Sequence, residues 1–141
     1  LAYPCGVAEM ALAQATRLPA DPFDDVVLEY SNPTNGGPAM STMGMRMQMI
    51  RPGTHTQARR HTGSKLYYVV RGTGRTIVDG HAYDWNEGDF LAIRPWAWHE
   101  HQNVSGQDAV LFQVNDFPAM SALGYYIEES LETNGGHQEI L

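Results

Sequence analysis

Alternating apolar and polar positions dominate the middle of the chain and mark it as β protein. Met43, Met45, Met47 and Met49 alternate with Gly44, Arg46 and Gln48, so one strand carries a thioether row on a single face. Packing within a sheet is the ordinary reading of such a row, and contact with another domain the less common one. Short strands bounded by turns follow over residues 66–70, 75–78, 82–85, 90–93, 96–104 and 109–114. Asp79–Gly80 is a two-residue hairpin signal, and residues 86–89 form another turn. Ahead of this region, residues 7–15 hold good helix formers, with Val7, Met10, Ala11 and Leu12 able to share a face before Pro19 ends the run. Residues 21–38 are mostly loop, with a short strand at 26–28. Pro118 opens a short helix that extends to Tyr126. About seven or eight such strands imply a sandwich, barrel or jelly roll.

Length adds one constraint: 141 residues make one domain, not two. The organisation read from the sequence is a lead-in over residues 1–40, a β domain over 41–127 and an acidic, mobile tail over 128–141. Charge removes whole classes of function. A net charge of −7 with only 9 Lys and Arg excludes a phosphate-binding nucleic-acid scaffold. No apolar run reaches the ~18–20 residues of a membrane span. The single cysteine, Cys5, allows no internal disulfide and fits a reducing, cytoplasmic setting. The chain opens on Leu1 without a basic segment and apolar stretch, so it reads as a piece of a longer protein and not as a secretory precursor.

Six histidines carry the candidate chemistry. His81 and His137 read as solvated surface residues. His99 and His101 lie two apart on a strand, so their rings share a face that Asn103 continues, and His61 starts an earlier strand. Imidazoles converging from two strands inside a small barrel can hold a transition metal; without a carboxylate they are more commonly hydrogen-bonded polar residues at a barrel mouth.

The spacing Gly53-x5-Arg59-x-His61-x3-Lys65-x6-Gly72, then Gly88-x10-His99-x3-Asn103, resembles the two cupin motifs. The glycines, His61, His99 and Asn103 fall in register. Arg94 holds the motif's proline position, with Pro95 one place late, and Trp96 replaces the second motif glycine. The segments at residues 30–37 (YSNPTNGG), 60–62 (RHT), 96–101 (WAWHEH) and 111–116 (LFQVND) are similar to the C-terminal half of the bicupin gentisate 1,2-dioxygenases. That resemblance implies an all-β double-stranded β-helix, the cupin jelly-roll barrel, with a short N-terminal and a short C-terminal helix. It further implies a ring-cleaving enzyme whose Fe(II) sits in an N-terminal cupin of the same protein, in a homo-oligomer.

Where metal-binding cupins place three histidines and a glutamate, this chain offers Arg59, His61, Lys65 and His99. Arg only donates and an ammonium opposes a dication, so no metal is expected in this domain, and the chain alone should be inert. A metal, if bound, would need His61, His99 and His101, as in a stand-alone cupin metalloenzyme. Arg59 and Lys65 with the histidines could instead form a pocket for an aromatic carboxylate, walled by Tyr67, Trp96 and Trp98, in a non-catalytic binding cupin. The commoner fate of such cations is to snorkel to the surface.

Overall fold

In the computed structural model, which describes residues 2–141, helix α1 (Cys5–Ala15) leads into β1 (Val26–Glu29) and β2 (Gly44–Ile50). There follow β3 (Arg59–His61), β4 (Lys65–Arg71), β5 (Gly74–Val78), β6 (His81–Trp85) and β7 (Phe90–Ile93). Then come β8 (His99–Gln102), β9 (Ala109–Asn115), α2 (Phe117–Ala122) and β10 (Glu128–Ser130). The strands form two antiparallel sheets, ordered β1-β2-β9-β4-β7 and β10-β3-β8-β5-β6, whose inner faces close into the jelly-roll barrel. Residues of both sheets, among them Ile50, Tyr67, Trp85, Ile93 and Leu111, fill one end of the interior. Asp79 and Gly80 take φ of 47° and 80°, the twist that a two-residue hairpin between β5 and β6 requires. None of the helices among the described residues is long and apolar enough to cross a membrane.

Three local expectations change. The methionine row faces away from the barrel: Met47 and Met49 pack with Leu12, Val26 and Val110 under α1, so the chain's own lead-in covers them. The packing face of α1 is Ala8, Leu12 and Ala15, while Val7 and Met10 stay exposed. Small alanines on either side of Leu12 let the helix approach the sheet closely. Helix α2 stops at Ala122, short of Tyr126, because Gly124 (φ 73°) closes a Schellman cap. In that cap Tyr125 N–H donates to Met120 O (2.8 Å) and Gly124 N–H to Ser121 O (3.1 Å).

The acidic tail, expected to be mobile, is docked. Strand β10 completes the edge of its sheet against β3, with Glu128 opposite His61 and Ser130 opposite Arg59. Beyond it, Ala58 N–H donates to Gly136 O (2.7 Å) and Leu141 N–H to Gly80 O (3.0 Å). Backbone pairing at a sheet edge needs no apolar side chains, so an exposed Glu-Glu-Ser strand leaves no hydrophobic signature.

Candidate functional site

Alternation along three short strands turns the site residues inward. Arg59 and His61 on β3, Lys65 and Tyr67 on β4, and His99 and His101 on β8 all point into the barrel, with Arg59 opposite His99 across the β3–β8 pair. Arg59 is 8% exposed and Lys65 2%, so neither snorkels to the surface. The reason is Asp24, a buried carboxylate in the turn before β1. Its Oδ2 accepts from Arg59 Nη2 at 2.5 Å, and its Oδ1 lies 3.9 Å from Lys65 Nζ. Glu128 of β10 approaches the other arm of Arg59 at 3.6 Å.

His61 and His99 sit in fixed tautomers. His61 Nδ1 donates to Gly63 O (2.8 Å) and His99 Nδ1 to Ala97 O (3.1 Å); a carbonyl only accepts, so each Nε2 carries a bare lone pair. His101 has both nitrogens engaged. Trp85 Nε1–H donates to Thr76 Oγ1 (2.9 Å), Thr76 Oγ1 meets His101 Nδ1 (2.8 Å), and His101 Nε2 meets the Tyr67 hydroxyl (3.2 Å). The His61 and His99 rings meet edge to face at 4.9 Å. The Nε2 atoms of His61 and His99, Lys65 Nζ, Gln113 Nε2 and Asn115 Nδ2 are buried without hydrogen-bond partners.

Electrostatics follow from burial in cationic company. Burial, reinforced by the Lys65 ammonium, takes His61 down to about 4 and His101 to about 3, and His99 well below its ordinary value. Burial takes Lys65 down to about 7, against the pull of Asp24. Burial alone would raise the Asp24 carboxyl; Lys65 and Arg59 together outweigh it and hold the group well below the usual carboxylate range. Tyr67 is pushed up, chiefly by burial.

This donor set does not fit an Fe(II) of the kind that metal-binding cupins hold. His61 and His99 leave two lone pairs, but His101 is spent on Thr76 and Tyr67, and the remaining motif positions are a guanidinium bound to Asp24 and an ammonium. The trio His61, His99 and His101 is therefore not assembled as a ligand set. Among the described residues, the group of three whose donor atoms all lie within 4.8 Å of one another is His55, Glu100 and His137, outside the barrel. His137, expected as a solvated tail residue, is hydrogen-bonded there to Glu100 at 2.9 Å.

Three predicted pocket residues lie elsewhere. Trp96 is 37% exposed and, with Trp98, stacks on Arg60 on the outer wall, the guanidinium carbon lying 4.4 and 4.5 Å from the two ring centroids. Trp96 also keeps a left-handed φ of 63° at the motif glycine position. Asn103 is buried but braces loops: its Nδ2 donates to Ile50 O and Gln107 O, both at 2.8 Å, and its Oδ1 accepts from Ser105. Sequence reasoning missed Asp24, Gln113 and Asn115. Gln113 and Asn115 were detectable as the polar positions ending an otherwise apolar strand; Asp24 gave no signal inside a loop.

The Cupin domain family model matches residues 46–115. A 5-aminosalicylate 1,2-dioxygenase of Comamonas sp is 43% identical over 133 residues, which cover 94% of this chain and 35% of that protein. A gentisate 1,2-dioxygenase of Aquipseudomonas alcaligenes is 32% identical over 108 residues, covering 77% of this chain and 30% of that protein. A solved structure of the salicylate 1,2-dioxygenase of Pseudaminobacter salicylatoxidans superposes with a TM-score of 0.83 at 28% identity, over 90% of this chain and 38% of that one. The chain thus spans about a third of the length of the curated relatives it matches. Motif spacing, barrel topology and these relatives agree: the chain is a cupin, and it resembles the cupin domains of the gentisate and salicylate 1,2-dioxygenases.

Proposed function

We propose that this domain is the non-catalytic cupin of a gentisate 1,2-dioxygenase-like ring-cleaving enzyme, the counterpart of the C-terminal half of a bicupin. In this reading a companion cupin of the same protein holds Fe(II) and opens a hydroxylated aromatic acid. The present domain packs against that cupin and joins copies of the protein into an oligomer in the cytoplasm. One observation carries the proposal: Arg59 and Lys65, at two of the four positions where the cupin motifs carry ligands, are buried and paired with Asp24. Met47 and Met49 are covered by the lead-in and offer no contact face. Leu66, Tyr68 and Phe90 stand exposed side by side on the outside of β4 and β7, with the Tyr68 and Phe90 rings 5.0 Å apart, and they suit the companion cupin. Oxygen-electrode measurements test the reading. The 141-residue chain, given Fe(II) anaerobically, should consume no dioxygen with gentisate, salicylate or 5-aminosalicylate; uptake with ring-opened product would sink it.

A second reading rests on the buried, unpartnered donors Lys65 Nζ, Gln113 Nε2 and Asn115 Nδ2, which suit a small anion or an aromatic carboxylate. Calorimetry with salicylate and gentisate should then show saturable binding that Arg59→Ala weakens. Absence of binding at low and high salt removes it.

A further inference from the structure

A second histidine cluster lies on the outside of the barrel, where neither the cupin motifs nor the proposed function has a use for it. His55 comes from the segment between β2 and β3, held to β8 by a bridge to Gln102. Glu100 projects outward from β8, between the inward-facing His99 and His101, and His137 arrives from the docked tail. His55 Nε2 lies 3.2 Å and His137 Nδ1 2.9 Å from Glu100 Oε2, and the two rings face each other at 4.0 Å.

The Glu100 carboxylate is the informative member. Its side chain is fully buried, yet among the described residues no Lys or Arg pairs with it, and the basic groups beside it are these two imidazoles. Its other oxygen accepts the backbone N–H of Gln138 at 2.8 Å, which fixes the plane of the carboxylate. A buried anion facing two imidazoles is unfavourable unless something positive completes it. Two neutral imidazoles and one carboxylate are also the donor set that a borderline divalent metal prefers.

We propose that His55, Glu100 and His137 form a binding site for a divalent transition metal of the Zn²⁺ class, which staples the tail to the barrel wall. Bond lengths near 2.0–2.2 Å in a tetrahedron put neighbouring donors about 3.4 Å apart. The two oxygen–nitrogen separations of 3.2 and 2.9 Å are close to that edge, and all three donors lie within 4.8 Å. The ion takes the place of two hydrogen bonds with small side-chain shifts. The His55 and His137 side chains are each about a third exposed, so solvent reaches the cluster and water fills the fourth position. Asn134 Nδ2 donates to His137 O at 3.1 Å and holds the turn that delivers the third ligand. The site draws nothing from the barrel interior and stands whether or not the chain serves a ring-cleaving enzyme.

Titration calorimetry of chelator-stripped, tag-free protein with ZnCl₂ tests the assignment. One site per chain is expected, weakened at least tenfold by Glu100→Gln and by His55→Ala, and unchanged by His61→Ala. His55→Ala leaves the tail's backbone hydrogen bonds in place, so its effect does not depend on the tail staying docked. Saturating Zn²⁺ should also slow proteolysis between residues 131 and 141 in the parent protein but not in His55→Ala. No saturable binding, binding that survives a His55→Ala/His137→Ala double variant, or binding lost in His61→Ala would each overturn the site.

Discussion

The two walls of one barrel use the same residue types to opposite ends. Inside, His61, His99 and His101 are sealed among Lys65, Arg59 and Asp24; outside, His55 and His137 flank a lone carboxylate. Strand β3 repeats the contrast in adjacent arginines. Arg59 points in and binds Asp24, whereas Arg60 points out, stacks on Trp96 and Trp98 and pairs with Glu129 at 2.6 Å. The lesson is that histidine count says little about metal chemistry. The charge of the company decides, because imidazole binds a cation only as a neutral ligand and only where no fixed cation competes.

The largest expected effect breaks the inside of this comparison with protons. His61 and His101 stay neutral in the fold down to about pH 4 and 3, while in the unfolded chain they titrate near 6.5. Below about pH 6.5 protons therefore bind the unfolded chain preferentially, and stability falls as pH falls. The loss is about 1.4 kcal/mol per pH unit for each such histidine, on the order of 5 kcal/mol for the two between pH 6.5 and 4.5. Lys65, at about 7 folded against 10.5 unfolded, acts in the same direction over a higher window, so stability should rise again from pH 7 towards 10. Urea denaturation across pH 4.5–9 checks both windows. A curve flat between pH 6.5 and 4.5 would contradict the neutral, sealed histidines.

The next effect separates the cationic cluster into its parts. Asp24→Ala leaves the buried Lys65 ammonium without its counter-charge and Arg59 with only the more exposed Glu128, and should cost about 3–5 kcal/mol. Lys65→Met removes one buried cation and leaves the Arg59–Asp24 pair intact, so it should be neutral or stabilising. The same denaturation assay reads both. Equal losses in the two variants would mean that Lys65 is as necessary to the cluster as Asp24.

Much of the barrel is legible in the sequence, and the reason is periodicity. Alternation and the Asp79–Gly80 turn gave strands β4 to β7 and β9 within a residue or so, and the motif spacing gave the double-stranded β-helix. Parity put His99 and His101 on one face of β8, but Arg59 and Lys65 were expected at the surface and only the motif spacing set them beside His61. What stayed hidden depends on long-range pairing. Asp24 lies 35 residues from Arg59 in sequence, and no local pattern marks it as the partner that draws two cations inside. Strand β10 is held by backbone bonds at a sheet edge, so its composition read as a solvated tail. With the tail misplaced, His137 could not be joined to Glu100, and the outer cluster went unseen.

The smallest effect tests the outer wall of β3. Arg60 lies flat against two indole rings and reaches Glu129, all on an exposed surface with its side chain 28% accessible. Exposed cation–π contacts contribute roughly 0.5–1 kcal/mol and exposed ion pairs less, so Arg60→Ala should lower stability by about 1 kcal/mol. That is well below the loss on removing the partner of Arg59 one residue away. Arg60→Lys divides the contribution further, since it keeps the charge for Glu129 but lacks a planar group to lie on Trp96 and Trp98. Thermal denaturation of the two variants should place Lys between Arg and Ala. If Lys restores full stability, the pair with Glu129 holds this wall and the indoles merely shelter it; if Lys equals Ala, stacking accounts for the whole effect.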